Sequence, residues 1–332
     1  MRFSWLLLAA ALLSGAALAQ DAPSLALPVA CRLGETCIVQ NYVDRDPGPG
    51  VRDYRCGYLS YDGHKGTDIR VIDAEALRKG VEVLAAAPGK VRAVRDGMPD
   101  ASVRAIGKAA IADREAGNSV VIEHGGGWET QYAHLRQGSI AVRAGDAVAR
   151  GQKLGLVGLS GNTEFWHLHF EVRHQRATVD PFVGLEPGEP CQPPKRPLWS
   201  EEAQTALQGY VETGVLDAGL AGGAPSLDAG IINRERAGRF SRTSGAAVFW
   251  VVLYGVQAGD REELRVLAPD GTVLSERSNK IGSNRAQWLV YVGKRKGDAD
   301  WPAGAYRGEY RLYRGPAERE VLALSREVQL QP

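Results

Sequence analysis

Apolar and polar positions alternate in short runs along most of this chain, and glycine or proline punctuates the runs. Lys90-Val-Arg-Ala-Val-Arg95 alternates with period two, the pattern of a strand with one buried face. Val81-Glu-Val-Leu-Ala-Ala-Ala-Pro88 reads as a strand entering a turn. Ser119-Val-Val-Ile-Glu-His124 and Trp128-Glu-Thr-Gln-Tyr-Ala-His134 flank Gly125-Gly-Gly127, which predicts a hairpin. From Val142 to Val157, Gly145, Gly151 and Gly155 separate apolar pairs, with Gly158 just beyond, so tight turns in a compact β unit are predicted. Pro99 to Ala116 breaks this pattern and reads as a surface insertion with at least one helical turn.

The same punctuation divides the chain. Residues 20–58 form a polar, turn-rich lead-in that includes Asp46-Pro-Gly-Pro-Gly50, and residues 59–186 hold the compact β unit. Residues 187–200 are Pro-rich, hence stiff and extended, and read as a linker. Residues 201–245 read as a helical or irregular connector, with a helix over Glu201–Leu216 placed by Ala203, Ala206, Leu207, Tyr210 and Val211. In residues 246–332 the strand signal returns at Ala247–Tyr254, Glu263–Leu267, Gln287–Val292, Tyr306–Tyr313 and Val321–Leu330. Turns at Pro269-Asp-Gly271 and Pro302-Ala-Gly304 lie between them. The predicted fold class is therefore all-β: a compact antiparallel β core followed by a small immunoglobulin-like β-sandwich.

Composition narrows the function classes. The 332 residues carry Lys+Arg 40 against Asp+Glu 39, a formal charge of +1, which gives no footprint for nucleic acid. Residues 1–19 read as a signal peptide: Arg2, then the apolar run Trp5–Leu13, then Ala17-Leu18-Ala19. That run is too short to span a bilayer core of roughly 30 Å, which argues against an uncleaved anchor. The mature chain is thus expected to be exported, with no membrane attachment after cleavage, to the periplasm or the exterior.

Export makes disulfides the natural reading of Cys31, Cys37, Cys56 and Cys191. Four cysteines allow three connectivities. A local bridge can close the turn between Cys31 and Cys37, leaving Cys56 for Cys191. A structural zinc site of four cysteines is disfavoured by the absence of any Cys-x2-Cys pair.

All six histidines lie between residues 64 and 174. In Trp166-His167-Leu168-His169-Phe170-Glu171-Val172, alternation puts His167 and His169 side by side on one strand face. In Gly63-His64-Lys-Gly66-Thr67-Asp68, four extended residues would cover ~13 Å, too far for one ion to touch both ends. A bend at Gly66 would bring His64 and Asp68 together. Two imidazoles and one carboxylate leave a coordination position open, the arrangement of catalytic rather than structural zinc. His124 reads as a structural histidine at a strand end and His174 as a solvated one. Trp128, Trp166 and Tyr132 fit packing as well as they fit substrate platforms.

The constellation His64-x3-Asp68, Tyr132-Ala-His134-Leu135 and His167-Leu-His169-Phe-Glu-Val172 resembles the M23 family of zinc metallopeptidases, the lysostaphin/LytM-type peptidoglycan endopeptidases. The likeness runs from about His64 to Pro181 and includes Gly117-Asn-Ser-Val-Val-Ile-Glu-His124, Val142-x2-Gly145-Asp and Gly158-x2-Gly161-Asn-Thr163. It implies a Zn2+ ion on His64, Asp68 and His169. It also implies that His134 and His167 position water, move protons and stabilise the developing oxyanion. The implied substrate is the peptide cross-link of peptidoglycan. One departure stands out: Glu164-Phe165-Trp166 replaces the Gly/Ser-rich stretch common before His-x-His and makes that wall of the groove bulkier.

Two other readings compete. An inactive LytM-like module that activates another wall hydrolase would be expected to lack ligands, whereas all five positions are filled here. A biotinyl/lipoyl carrier module fits the glycine-spaced turns but gives no reason for four site histidines and a carboxylate. The sequence assigns no partner to the C-terminal sandwich.

Overall fold

The computed structural model describes residues 22–186, 191–192 and 196–332. The signal-peptide segment and half of the Pro-rich stretch (residues 187–190 and 193–195) lie outside the described residues. The strands of the N-terminal part are β1 (Cys37–Asn41), β2 (Thr67–Val71), β3 (Glu82–Leu84), β4 (Gly89–Arg95), β5 (Asn118–Gly125), β6 (Trp128–Leu135), β7 (Ala147–Val148), β8 (Lys153–Leu156), β9 (His167–His174) and β10 (Ala177–Val179). Eight of them form one antiparallel sheet in the order β1-β2-β9-β6-β5-β4-β7, with β10 added to β9, while β3 and β8 pair separately. The alternation read from sequence sets the faces. Ile69, Val120, Ile122, Leu168, Phe170 and Val172 are buried in the core on one side. Register then carries the polar residues of neighbouring strands onto the other side: Asp68 lies opposite His169 and Arg70 opposite His167.

The predicted hairpin is β5–β6. Its histidine does structural work: His124 lies 2.8 Å from the Pro88 carbonyl and 2.8 Å from Thr130 Oγ1. His174 is not solvated as expected. It stacks on Trp128 with centroids 4.4 Å apart and reaches the Gly126 carbonyl at 3.2 Å, because register places it opposite Trp128. Tyr132 and Trp128 are buried and Trp166 packs against the core, so all three are packing residues. The insertion contains the short helix α2 (Val103–Ile106), which follows α1 (Ala74–Lys79), and a 3-10 turn over Lys108–Ile111. Met98, Val103 and Ile111 give it a small apolar centre of its own.

The lead-in is more than a leader. Its strand β1 forms an edge of the main sheet, and Leu25, Val29 and Tyr42 are core residues. Asp53 ties this segment down by accepting from the backbone N–H groups of Arg55, Gly57 and Leu59 and from the Tyr210 hydroxyl. Both expected disulfides, Cys31–Cys37 and Cys56–Cys191, are formed.

The helix expected over Glu201–Leu216 is cut to α3 (Glu201–Ala206), capped by the Ser200 hydroxyl. Apolar spacing suggested a longer one. Gly209 takes a φ of 99°, which ends the helical path, and Tyr210 is drawn into the Tyr42, Tyr54 and Asp53 cluster. The chain then enters β11 (Gly214–Ala221), the hairpin β12 (Leu227–Asp228) and β13 (Ile231–Ile232), and helix α4 (Arg234–Ala237). Beyond lie β14 (Ala246–Tyr254), β15 (Arg261–Leu267), β16 (Val273–Lys280), β17 (Trp288–Arg295), β18 (Gly304–Arg314) and β19 (Arg319–Leu330). They form two antiparallel sheets, β11-β14-β17 and β16-β15-β18-β19, packed through Phe249, Val251, Leu264, Val266, Tyr310 and Leu312. Strand β16 escapes the periodicity reading because it is an edge strand with a mostly exposed, polar sequence, held by its ladder to β15. Among the described residues no helix is long and apolar enough to cross a membrane.

Candidate metal centre

Three adjacent strands and one turn converge on one point. Asp68 sits on β2, His169 and His167 on β9, and His134 near the end of β6, while His64 comes from the turn before β2, closed by the His64 N–H donating to the Tyr61 carbonyl at 2.9 Å. His64 Nε2 lies 3.2 Å from Asp68 Oδ1, and His169 Nδ1 lies 2.9 Å from the same oxygen. The two imidazole nitrogens are themselves 3.2 Å apart. The expected bend between His64 and Asp68 is present, but Gly66 serves a different purpose. It does not adopt a left-handed φ. A Cβ there would lie 2.6 Å from His169 Cε1 and 2.9 Å from the Phe170 carbonyl oxygen, so Gly66 makes room for the His169 ring.

Hydrogen bonds aim each ring. His64 Nδ1 donates to the Tyr42 carbonyl at 2.7 Å, which leaves the Nε2 lone pair facing Asp68 and His169. His134 Nδ1 donates to the Ser160 carbonyl at 2.7 Å, and His167 Nδ1 to the Phe165 carbonyl at 2.9 Å. His167 Nε2 then lies 3.4 Å from Asp68 Oδ1. His134 holds a φ of 61°, unusual for a residue with a side chain, and its backbone N–H is fixed by the Ala116 carbonyl at the end of the insertion. The insertion also grips the loop before β9 through Val103 N–H to Thr163 O and Leu159 N–H to Asp100 Oδ1.

Sequence reasoning missed Asn41. Its Nδ2 donates to Asp68 Oδ2 at 2.9 Å from the end of β1, so the carboxylate is oriented on both oxygens. Nothing local marked it, because only the β1–β2 register brings it to Asp68. The backbone carbonyls of Tyr42, Ser160 and Phe165 leave no trace in a sequence at all.

Electrostatics follow from burial and crowding. Burial disfavours the charged Asp68 carboxylate, but His64, His167 and His169 outweigh it and hold the group well below the usual carboxylate range. Burial pulls His64 down, yet the Asp68 charge and hydrogen bond, with the Tyr42 carbonyl, leave it raised overall. His134 goes the other way: burial first, then His167 and His169, hold it well below the ordinary histidine value. This favours its neutral form.

Two donor sets in the cluster have ligand atoms within 4.8 Å of one another: His64, Asp68 and His169, and His134, His167 and His169. The first is the better cradle for a cation. One proton can bridge only one pair of its atoms, whereas a divalent ion would satisfy three converging lone pairs at once, and only this set contains an anion.

Residues 62–181 match the description Peptidase family M23. Peptidoglycan DD-endopeptidase ShyB of Vibrio cholerae is 46% identical over 65 residues, 20% of this chain and 15% of that protein. ShyA of the same organism, also named a peptidoglycan DD-endopeptidase, is 47% identical over 57 residues, 17% of this chain and 13% of that protein. The cell division protein DipM of Caulobacter vibrioides is 37% identical over 71 residues, covering 21% and 11%. A crystal structure of a zinc-containing peptidase from Vibrio cholerae aligns at 30% identity over 43% of this chain and 38% of that one, with a TM-score of 0.28. The chain thus matches less than a fifth of the length of these three curated relatives. Over residues 62–181, the chain carries a segment that matches peptidase family M23.

Proposed function

We propose that the chain is a zinc-dependent endopeptidase that hydrolyses the peptide cross-links of bacterial peptidoglycan, acting outside the cytoplasm. The observation that carries this reading is the convergence of His64, Asp68 and His169, with His134 and His167 beside them. The relatives named as peptidoglycan endopeptidases support the substrate class.

His64 Nε2, His169 Nδ1 and Asp68 Oδ1 would hold the ion, with Asn41 fixing the carboxylate from its other oxygen. When bound, zinc supplies Lewis-acid polarisation of a peptide carbonyl and lowers the pKa of water at the open position. His134 keeps its proton on Nδ1, against Ser160, and so offers an unprotonated Nε2 as general base. His167 likewise keeps a proton on Nδ1, and its Nε2, beside Asp68 Oδ1, becomes a donor to a developing oxyanion once protonated. The bulky Glu164-Phe165-Trp166 segment, joined to the insertion by the Arg104–Glu164 ion pair at 2.7 Å, borders the site and would restrict what enters.

The test combines two measurements on the purified mature chain. Elemental analysis should find about one zinc per chain, and digestion of purified sacculi should release products whose new amines identify the cut bond by mass spectrometry. A zinc-loaded protein that leaves every wall peptide intact would overturn the reading.

A further inference from the structure

Arg70 is a buried cation that the chemistry above does not use. It lies on β2 two residues beyond Asp68, on the same face, with 3% of its surface exposed. No carboxylate pairs with it among the described ion pairs. Its partners are neutral and come from both halves of the molecule. Nη1 donates to Gln40 Oε1 at 2.8 Å and to Gln287 Oε1 at 3.2 Å, and Nη2 donates to the Gly230 carbonyl at 2.6 Å. The guanidinium also sits 4.6 Å from the centre of the Phe165 ring.

Phe165 is the residue whose carbonyl accepts from His167 Nδ1, and its ring lies 4.8 Å from the His167 ring. Gly230, at the tip of the β12–β13 hairpin, touches the same place. A Cβ there would lie 2.5 Å from Phe165 Cβ and 2.8 Å from Arg70 Nη2. Gln287 Nε2 donates to the Gly230 carbonyl at 3.3 Å, so hairpin and sandwich meet the cation together. An unbroken set of contacts therefore runs from the C-terminal half through Arg70 and Phe165 to the ring that faces Asp68.

We propose that Arg70 is a positioning residue through which the C-terminal sandwich and its hairpin fix Phe165, and thereby the orientation and tautomer of His167. This rests on the peptidase reading above. A planar fork that donates to three oxygens while lying over a ring is an arginine geometry, and lysine offers a single point charge in its place. Isolating a guanidinium from water without a counter-charge is costly, so its neutral ring of partners has to be complete to hold it. Only a docked C-terminal half completes it.

The experiment uses the full-length zinc-loaded protein with Arg70→Lys and, independently, Gly230→Ala, which leaves every residue of the M23 region intact. In both variants kcat on a synthetic cross-linked stem peptide should fall about tenfold or more, with KM within about threefold and zinc affinity within about tenfold. Ring 15N spectroscopy should find His167 as the Nδ1–H tautomer in the parent and as a mixture in the variants. Thermal melting selects the variants that fold, and should Arg70→Lys fail to fold, Gly230→Ala decides. An unchanged His167 ring spectrum in a folded variant overturns the relay whatever the rate does. If the parent hydrolyses no wall peptide the peptidase reading fails, and the ring spectrum still decides the role of Arg70.

Discussion

At the scale of single residues, the five candidate positions divide by what each is proposed to hold. His64→Ala, Asp68→Ala or His169→Ala should each abolish stoichiometric zinc, because two donors make no catalytic cradle. His134→Ala should keep zinc within about tenfold while turnover drops by ~10² or more, the scale for losing a general base. Zinc analysis beside initial rates on sacculi checks both, and zinc retained by His169→Ala would refute the ligand set. Asp180 offers a test that involves no metal. Burial raises its carboxyl to about 7, against the pull of the Phe182 N–H and the Arg45 charge, and one carboxyl oxygen has no partner. A folded-state value above the unfolded one means that its contribution is full below about pH 4 and is lost as pH rises through 7. Asp180→Asn keeps the acceptor for Phe182 and never ionises. Its stabilisation over the parent should be larger at pH 8 than at pH 4 by about 1–3 kcal/mol, read from urea unfolding.

At the scale of elements, Gly66 shows how a strand entry can govern a candidate ligand. A methyl group there meets the His169 ring and the Phe170 carbonyl below 3.0 Å, so either the ring or the β2–β9 ladder must shift. Gly66→Ala should therefore weaken zinc binding by about tenfold or more with a far smaller change in melting temperature. Competition against a chelator measures the first and calorimetry the second. Equal zinc affinity would mean that the ring has slack the packing does not suggest. The His-x-His pair behaves as strand alternation requires, with Leu168 and Phe170 in the core and both imidazoles on the opposite face. The short helix α3 obeys a different rule. Apolar spacing alone favoured sixteen residues, yet Gly209 and the aromatic cluster around Tyr210 claimed the second half.

At the scale of the whole molecule, the two disulfides differ in what they close. Cys56 and Cys191 are 135 residues apart and enclose the M23 region, whereas Cys31 and Cys37 are six apart. Loop-closure entropy grows with the logarithm of loop length, so the long bridge should contribute about 3 kcal/mol more than the short one. Replacing Cys56 and Cys191 by alanine should lower unfolding free energy by several kcal/mol and leave zinc binding intact. The same double change at Cys31 and Cys37 should cost distinctly less. Urea titrations of the two double variants decide, and equal losses would show that the long loop gains nothing from its length. Tyr54, two residues before Cys56, joins Tyr42, Phe182 and Tyr210 in an aromatic cluster that draws lead-in, M23 region and connector together.

Sequence by itself determined whatever depends on neighbours along the chain. Period-two alternation settled most of the strands and the face shared by His167 and His169, glycine runs settled the β5–β6 hairpin, and cysteine spacing proposed both disulfides. His64, Asp68, His167 and His169 stood out by local spacing and His134 only through the family resemblance, and the structure brings these five candidates together. Tertiary structure alone decided the rest, because contacts across strand register and between halves carry no signature along the chain. Register brought Asn41 to Asp68 and His174 to Trp128, and backbone carbonyls chose the ring nitrogens of His64, His134 and His167. Arg70 is the clearest case. In the sequence it is an ordinary polar residue of a strand, and only the docking of Gly230 and Gln287, 160 and 217 residues away, makes it a buried cation beside the site.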